Sequence, residues 1–415
     1  MMKARKLSTA LPVSVGDCDR RPLIVVGITH AQTCLVLTGR LRALKAAGFR
    51  VVLISSPGEL LDRLATAEGV DALPISIRRG MAPLSDVISL IRLCRVLHRL
   101  QPDVTEFSTP KAGLLGNLAA KLCRVPSRIY ILRGLRLETL TGFKRLVMLA
   151  AERMASACAQ QVVCNSRSLR SRALALQVAP SRKLHLIGSG SSHGVDTEQF
   201  SPGPDEIRAA IGIPRDVPVI GFVGRLTRDK GIPELITAFD QILKTVPSAR
   251  LLLVGWFDQS DDALGEILQR RIQAHPSIIC TGYVADTAPW YRAMDVMVLP
   301  TWREGFPNVV LEAAATAIPV VTTISTGSRD AVVPEFTGLL IPPGYPEAIT
   351  EAVLRLIRNP GERARMGSAA RTWVMQRFVN ERVLRLTVAF YQNLLATADA
   401  ENVTGFASDP AAVGD

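Results

Sequence analysis

The sequence predicts an α/β protein built from two doubly wound, Rossmann-like domains. Three observations carry this reading. At 415 residues the chain exceeds one ordinary hydrophobic core. Short β-rich apolar runs alternate with helical stretches through both halves, which is the pattern of parallel sheets with right-handed crossovers. Between the halves lies a stretch rich in Gly, Ser and Pro, from Gly188 to Pro204, with the composition of a domain boundary.

The elements follow in order. In the first half the strand candidates are Leu23–Gly27, Val51–Ile54, Ala72–Ile75, Val104–Phe107, Arg128–Leu132, Gln161–Cys164 and Leu184–Ile187. Helical segments such as Leu35–Ala47 and Leu84–Leu100 separate them. In the second half the candidates are Val219–Val223, Arg250–Val254, Ile278–Cys280, Val296–Leu299, Val320–Thr322 and Gly338–Ile341. Three helices close the chain, about Pro346–Arg358, Gly361–Gln376 and Asn380–Leu395. The termini, residues 1–20 and 397–415, read as flexible tails.

Composition narrows the class. Hydrophobic content of 48% with 21% charge describes a globular protein. No apolar run reaches the ~18 residues of a membrane span, and the broken N-terminal stretch does not read as a signal peptide. Seven scattered cysteines without Cys-x-x-Cys spacing fit free thiols in reducing cytosol and argue against a zinc site. Asp17-Cys18-Asp19 forms an Asp-x-Asp but lies outside any strand end, so it is read as chance and no metal or other cofactor is expected. Residues 1–200 hold 29 Lys and Arg against 13 Asp and Glu, while residues 201–415 hold 20 against 24. The basic surplus of the first half points to anionic partners: membrane lipid, nucleic acid or a phosphorylated acceptor. Nucleic acid is disfavoured, since only 5% of residues are aromatic and no familiar nucleic-acid motif appears.

The most informative segment is Glu304-Gly305-Phe306-Pro307-Asn308-Val309-Val310-Leu311-Glu312. Pro307 suits the first turn of a helix running to about Thr316. The free N–H groups of Asn308, Val309 and Val310 would then face the loop and favour an anion. Carboxylates at Glu304 and Glu312 suit sugar diols, because a carboxylate accepts two hydroxyl hydrogen bonds at once. Upstream, Val219–Val223 reads as a buried strand, Gly224 permits a tight turn, and Arg225 and Lys230 precede a helix opened by Gly231-Ile232-Pro233. Two cations beside a helix start form a clamp for a diphosphate. Hydroxyls and a diphosphate together describe a nucleotide sugar.

On these residues the chain resembles the retaining glycosyltransferases of family 4, from about Pro22 to Leu395. Glu304 and Glu312 match the family's Glu-x7-Glu element, and Arg225 and Lys230 its Arg-x4-Lys element. The resemblance implies the GT-B fold: an acceptor domain over 21–200, a nucleotide-sugar domain over 201–378, and a helix over 379–396 crossing back onto the first. It implies that Arg225, Lys230 and Glu304 are catalytic, with Arg225 and Lys230 on the donor diphosphate. Gly224, Gly305, Phe306, Pro307, Asn308 and Val309 would line the donor site, and Glu312 would hold the ribose. Where relatives carry Asn-Gly-Val-Asp, this chain has His193-Gly194-Val195-Asp196.

The first half carries Thr109-Pro110-Lys111-Ala112-Gly113-Leu114-Leu115-Gly116 after a strand. Thr109 is a good N-cap residue and Pro110 a good first helical residue. Lys111 then lies in the first turn, where the helix dipole disfavours a cation, as if a bound phosphate offset it. Arg133-Gly134-Leu135-Arg136 adds two cations at the same sheet edge. Lys111, Arg133 and Arg136 are therefore acceptor-phosphate candidates, with a solvated basic loop as the alternative. This half resembles a bacterial capsule and exopolysaccharide subgroup, which also shows an Arg before Pro-x-x-Asp, here Arg79 to Asp86. Its acceptors are commonly sugars on a polyprenyl diphosphate. Many relatives have His-Gly at Arg133-Gly134, so a histidine acid or base is not expected there. His30, in a reduced first loop, either contacts the acceptor or is an ordinary loop histidine. Arg92, Arg95 and Arg99 share one helix face, suited to anionic lipid or simply to solvent.

The resemblance thus implies a cytoplasmic, peripheral membrane enzyme, a metal-independent hexosyltransferase acting on a lipid-linked glycan. A nucleotide-sugar epimerase of the same fold and a non-catalytic sugar-nucleotide-binding subunit are the alternatives. No Gly-x-Gly-x-x-Gly follows the first strand to support a nicotinamide enzyme.

Overall fold

The computed structural model describes residues 21–29, 36–78, 80 and 82–405. Two parallel sheets are present. The first holds β1 (Leu23–Gly27), β2 (Arg50–Ser55), β3 (Asp71–Pro74), β4 (Val104–Ser108), β5 (Ser127–Leu132), β6 (Gln161–Cys164) and β7 (Leu184–Leu186), in the order β3-β2-β1-β4-β5-β6-β7. The second holds β8 (Val219–Val223), β9 (Arg250–Val254), β10 (Ile278–Gly282), β11 (Val296–Leu299), β12 (Val320–Thr323) and β13 (Gly338–Ile341), in the order β10-β9-β8-β11-β12-β13. Both sheets are doubly wound, so each has a switch point where the order reverses, β1/β4 and β8/β11, and ligands of such sheets bind there at the carboxyl edge.

Each strand lies close to its sequence expectation because a strand buried on both faces is a continuous apolar run. Val219–Val223 is fully buried, and Leu251–Val254 likewise. Three helix boundaries differ for reasons the structure shows. The first helix begins at Arg40, because Gly39 takes a left-handed φ of 75° that ends the preceding turn. The helix expected from Pro307 begins at Asn308, with Pro307 outside it in extended conformation. The final helix runs Asn380–Gly405, past the expected tail start at 397, since no glycine or proline interrupts it before Gly405. Phe378 hands its carbonyl to Val195 N–H, and the final helix then returns to the first sheet, where Tyr391 is buried among Ile24, Val26 and Leu41.

That return is anchored by a buried polar triad. Arg40 lies 2.5 Å from Glu106 of β4, and Tyr391 hydrogen-bonds the same carboxylate. Arg40 also donates to the Tyr391 hydroxyl at 3.1 Å. His30 and Arg79, like Asp17 and Asp19, lie outside the described residues. The five described cysteines, Cys94, Cys123, Cys158, Cys164 and Cys280, are free. Among the described residues no helix is long and apolar enough to cross a membrane.

Candidate active site

The second switch point assembles the sequence motifs. After β8, Gly224 takes a φ of 143°, open to glycine, and its N–H donates to Val254. The turn that follows is fastened to the loop after β11. Gly231, with φ 76°, packs so tightly on the Pro300 carbonyl that a Cβ would stand 2.1 Å from its oxygen. Asp229 accepts from Thr227 at 2.6 Å and pairs with Arg303 at 2.8 Å. Burial pushes the Asp229 carboxyl up, but Arg303, Lys230 and Arg225 outweigh it and hold it below its ordinary value. The same fastening brings Lys230 onto Glu304 as an ion pair, both side chains only 17% and 15% exposed. Arg225 pairs with Asp258. The two motifs therefore meet, and each phosphate-binding candidate already holds a carboxylate.

Glu312 lies farther along the helix Asn308–Ala315, where it accepts from the Tyr291 hydroxyl at 2.8 Å. Burial raises its carboxyl to about 7, with hydrogen bonds from Tyr291 and Thr287 acting against the rise. Burial thus favours the protonated carboxyl, which can donate as well as accept.

Several sequence expectations need correction here. Phe306 was expected to line the donor site. Its ring is buried against Phe378, at 5.3 Å between centroids. Of the three N–H groups expected to be free, that of Val310 is bonded to Pro307 O. Asn308 and Val309 remain at the helix start, and Asn308 faces the domain crossover: its amide nitrogen is 3.1 Å from both ring nitrogens of His193, and its oxygen accepts from Ser191.

The acceptor candidates at the first sheet do not form one cluster. Lys111 pairs with Asp86 at 2.7 Å and also donates to Gly80 O. The neighbouring carboxylate offsets the cation at the helix start. Thr109 occupies the N-cap position of Pro110–Leu122 but does not cap it with its side chain. The Thr29 hydroxyl, from the end of β1, accepts the Ala112 N–H and contacts Thr109 Oγ1. Thr109 holds a φ of 72°, costly for a β-branched residue, at the switch point of the sheet. Arg136 lies at the surface and pairs with Asp261 of the second domain.

Arg133 is different. It donates to Ser192 at 2.8 Å, while its Nε and Nη2 are buried without a hydrogen-bond partner. Burial and the Arg40 charge, against the pull of Glu106, bring its guanidinium down to about 10. His193 is held down to about 4 by burial, by Arg133 and by Arg40, so it is neutral. The Arg133-Gly134 backbone packs directly on Gly305, where a Cβ would fall 1.9 Å from Arg133 O. The carboxyl edges of the two sheets thus face each other, and cross-links from Ser168 to Asp330 and from Thr326 to Glu138 hold that arrangement.

Sequence reasoning passed over Asp229, Arg303, Ser192 and Tyr291. Asp229 sits inside the Arg225–Lys230 motif and was open to notice. Arg303 directly precedes Glu304 and was equally open to notice; Ser192 and Tyr291 meet the site only through the fold.

With this geometry in hand, comparison with known proteins is decisive. Residues 36–190 match the model of a glycosyl transferase 4-like domain, and residues 217–359 that of glycosyl transferases group 1. The capsular polysaccharide biosynthesis glycosyltransferase CapM of Staphylococcus aureus is 32% identical over 375 residues, 90% of this chain and 98% of that one. The chain belongs to the group 1 glycosyltransferases. An Escherichia coli relative, UDP-Gal:alpha-D-GlcNAc-diphosphoundecaprenol alpha-1,3-galactosyltransferase, is 26% identical, covering 80% of this chain and 88% of its own. Among solved structures, Anabaena Alr3699/HepE in complex with UDP superposes with a TM-score of 0.71 at 20% identity, covering 90% of this glycosyltransferase and 99% of the Anabaena chain. Sucrose-phosphate synthase of Thermosynechococcus elongatus superposes with a TM-score of 0.75 at 20% identity, over 91% and 100%. These likenesses give the GT-B fold: two Rossmann-like domains with facing carboxyl edges.

Proposed function

We propose that this glycosyltransferase moves a hexose, with retention, from a nucleoside-diphosphate sugar to a glycan carried on a polyprenyl diphosphate, in the assembly of capsular or exopolysaccharide. The observation that carries the reading is the meeting of Lys230 with Glu304 at the β8/β11 switch point, beside the Arg133-Gly134 backbone of the facing domain. Cations for a diphosphate and a carboxylate for sugar hydroxyls stand together there. The CapM and diphosphoundecaprenol relatives support this pathway and this acceptor class.

In this reading the bond from the sugar C1 to the β-phosphate oxygen breaks, and its electron pair leaves with the diphosphate. Arg225 and Lys230 receive that charge. The acceptor hydroxyl oxygen attacks C1 from the same face, and its proton passes to the departing phosphate oxygen. Glu304 holds sugar hydroxyls, Glu312 the ribose, and the protein contributes chiefly position and charge without a metal ion. Arg133 takes an acceptor phosphate onto the N–H groups of its unpartnered Nε and Nη2. The enzyme works at the cytoplasmic membrane surface, where both substrates meet.

The test is a donor screen by thermal shift with UDP, GDP and ADP, followed by transfer assays with a diphosphate-linked acceptor in the presence of chelator. Stabilisation by one nucleotide, an axially unchanged anomeric centre in the product and insensitivity to chelator support the reading. Turnover of donor into an epimer without acceptor would replace it.

A further inference from the structure

Exposed large apolar side chains gather on two helices of the first domain. On Pro83–Leu100 the exposed residues are Leu84, Val87, Ile88 and Ile91, at helical spacing on one stripe, and the stripe continues as Arg92, Arg95 and Arg99. Leu93 and Leu97 face the core instead. On Gly142–Cys158 the exposed set is Phe143, Leu146, Val147 and Met154, interleaved with Lys144, Arg145 and Arg153. Leu84 is 84% and Phe143 78% exposed, and their grouping with like neighbours sets them apart from a single exposed residue such as Ile267. Both helices pack against Pro110–Leu122, one on either side. Each follows a parallel strand, β3 or β5, so their apolar first turns lie at the same carboxyl edge as Thr109 and Lys111.

We propose that these two helix faces form one docking surface for an anionic lipid bilayer. Leu84, Ile88, Phe143 and Leu146 enter the boundary between headgroups and acyl chains, and Arg92, Arg95, Lys144 and Arg145 meet the lipid phosphates. Charge selects this occupant. A second copy would set the same cations against one another, whereas an anionic surface matches both the cations here and the basic surplus of residues 1–200. The acceptor's identity rests on the function proposed above; the surface itself rests on exposure and charge. Docked this way, the enzyme presents the start of Pro110–Leu122, with the Arg133 edge behind it, to a diphosphate still anchored in the membrane.

The test is flotation of the full chain with phosphatidylcholine vesicles and with vesicles that also contain phosphatidylglycerol, alongside transfer to a short-chain, water-soluble acceptor. The chain should float with the phosphatidylglycerol vesicles alone. Arg92→Gln with Arg95→Gln should weaken partition about twenty-five-fold, each arginine near an anionic surface being worth about fivefold. Phe143→Ser with Leu146→Ser should weaken it at least about tenfold. Both pairs should leave thermal unfolding and soluble-acceptor transfer unchanged. Absence of flotation, partition indifferent to these substitutions, or self-association that they abolish in a chain that does not float would overturn the proposal. A chain that transfers without floating refutes this surface alone. One that floats without transferring refutes the function alone.

Discussion

Replacing Glu304 with Gln should change two measurements in opposite directions. In the free enzyme Glu304 occupies Lys230, the cation proposed to receive the donor diphosphate. An incoming diphosphate must therefore displace or share that contact. Gln keeps the size of the side chain and removes its charge. With both partners mostly but not wholly buried, such a pair has a net worth of about 1 kcal/mol. Removing it should tighten binding of the free nucleoside diphosphate about five- to tenfold. The gain should shrink at high salt, which screens the pair. Transfer should move the other way, because the amide no longer accepts two hydroxyl hydrogen bonds as charge develops on the sugar. A loss of ~3 kcal/mol of transition-state stabilisation is about a hundredfold in kcat/KM. Calorimetric titration with UDP and GDP reads the first effect and steady-state transfer the second. Lys230→Ala is the control, and should lose both nucleotide affinity and about a hundredfold in turnover while remaining folded. Nucleotide binding left unchanged or weakened by Glu304→Gln would refute the competition. Wild-type turnover would remove Glu304 from the site.

Three further outcomes are expected. Arg133→Gln should raise the acceptor KM about tenfold or more with donor KM unchanged, and should not lower Tm, since it removes a buried guanidinium with two unpartnered donors; a lower Tm with wild-type acceptor KM would contradict the assignment. Glu312→Gln should flatten the pH dependence of stability: burial puts the native carboxyl at about 7, above its unfolded value of about 4.3, so the native state holds the proton more tightly and stability falls as pH rises from about 4.5 to 7. Denaturant melts across that window should show the wild-type slope reduced, with Glu152, raised to about 7 by burial, supplying the remainder; an unaltered slope would mean Glu312 is not the group responsible. Tyr391→Phe should cost about 1–3 kcal/mol by taking a partner from the buried Glu106 carboxylate, visible as a Tm lower by several degrees, and an unshifted melt would show that the triad does not hold the final helix down.

What the sequence determined is what short range determines. A strand buried on both faces is an apolar run, so the strands of both sheets were legible at nearly their true bounds, and with them the alternating topology. The Arg225–Lys230 turn and the Glu304 loop were legible because a strand-to-helix turn at a switch point places its few residues at the carboxyl edge whatever the rest of the chain does. Tertiary structure decided everything that depends on which face of an element meets which neighbour. Nothing local to Phe306 announced that its ring would pack on Phe378. The carboxylate that meets Lys111 comes from Asp86 on the helix Pro83–Leu100, which the local sequence around Lys111 does not show. Glu312 keeps its proton through burial by the surrounding fold and meets Tyr291, 21 residues away, while buried Glu106 meets Tyr391, 285 residues away. Helical periodicity groups residues on a face but does not say whether that face goes to core or solvent, so Ile88 and Leu97 looked alike in the sequence and part company in the fold. Burial and partnership are properties of three-dimensional neighbours, and a linear chain records those neighbours only where they are also close in sequence.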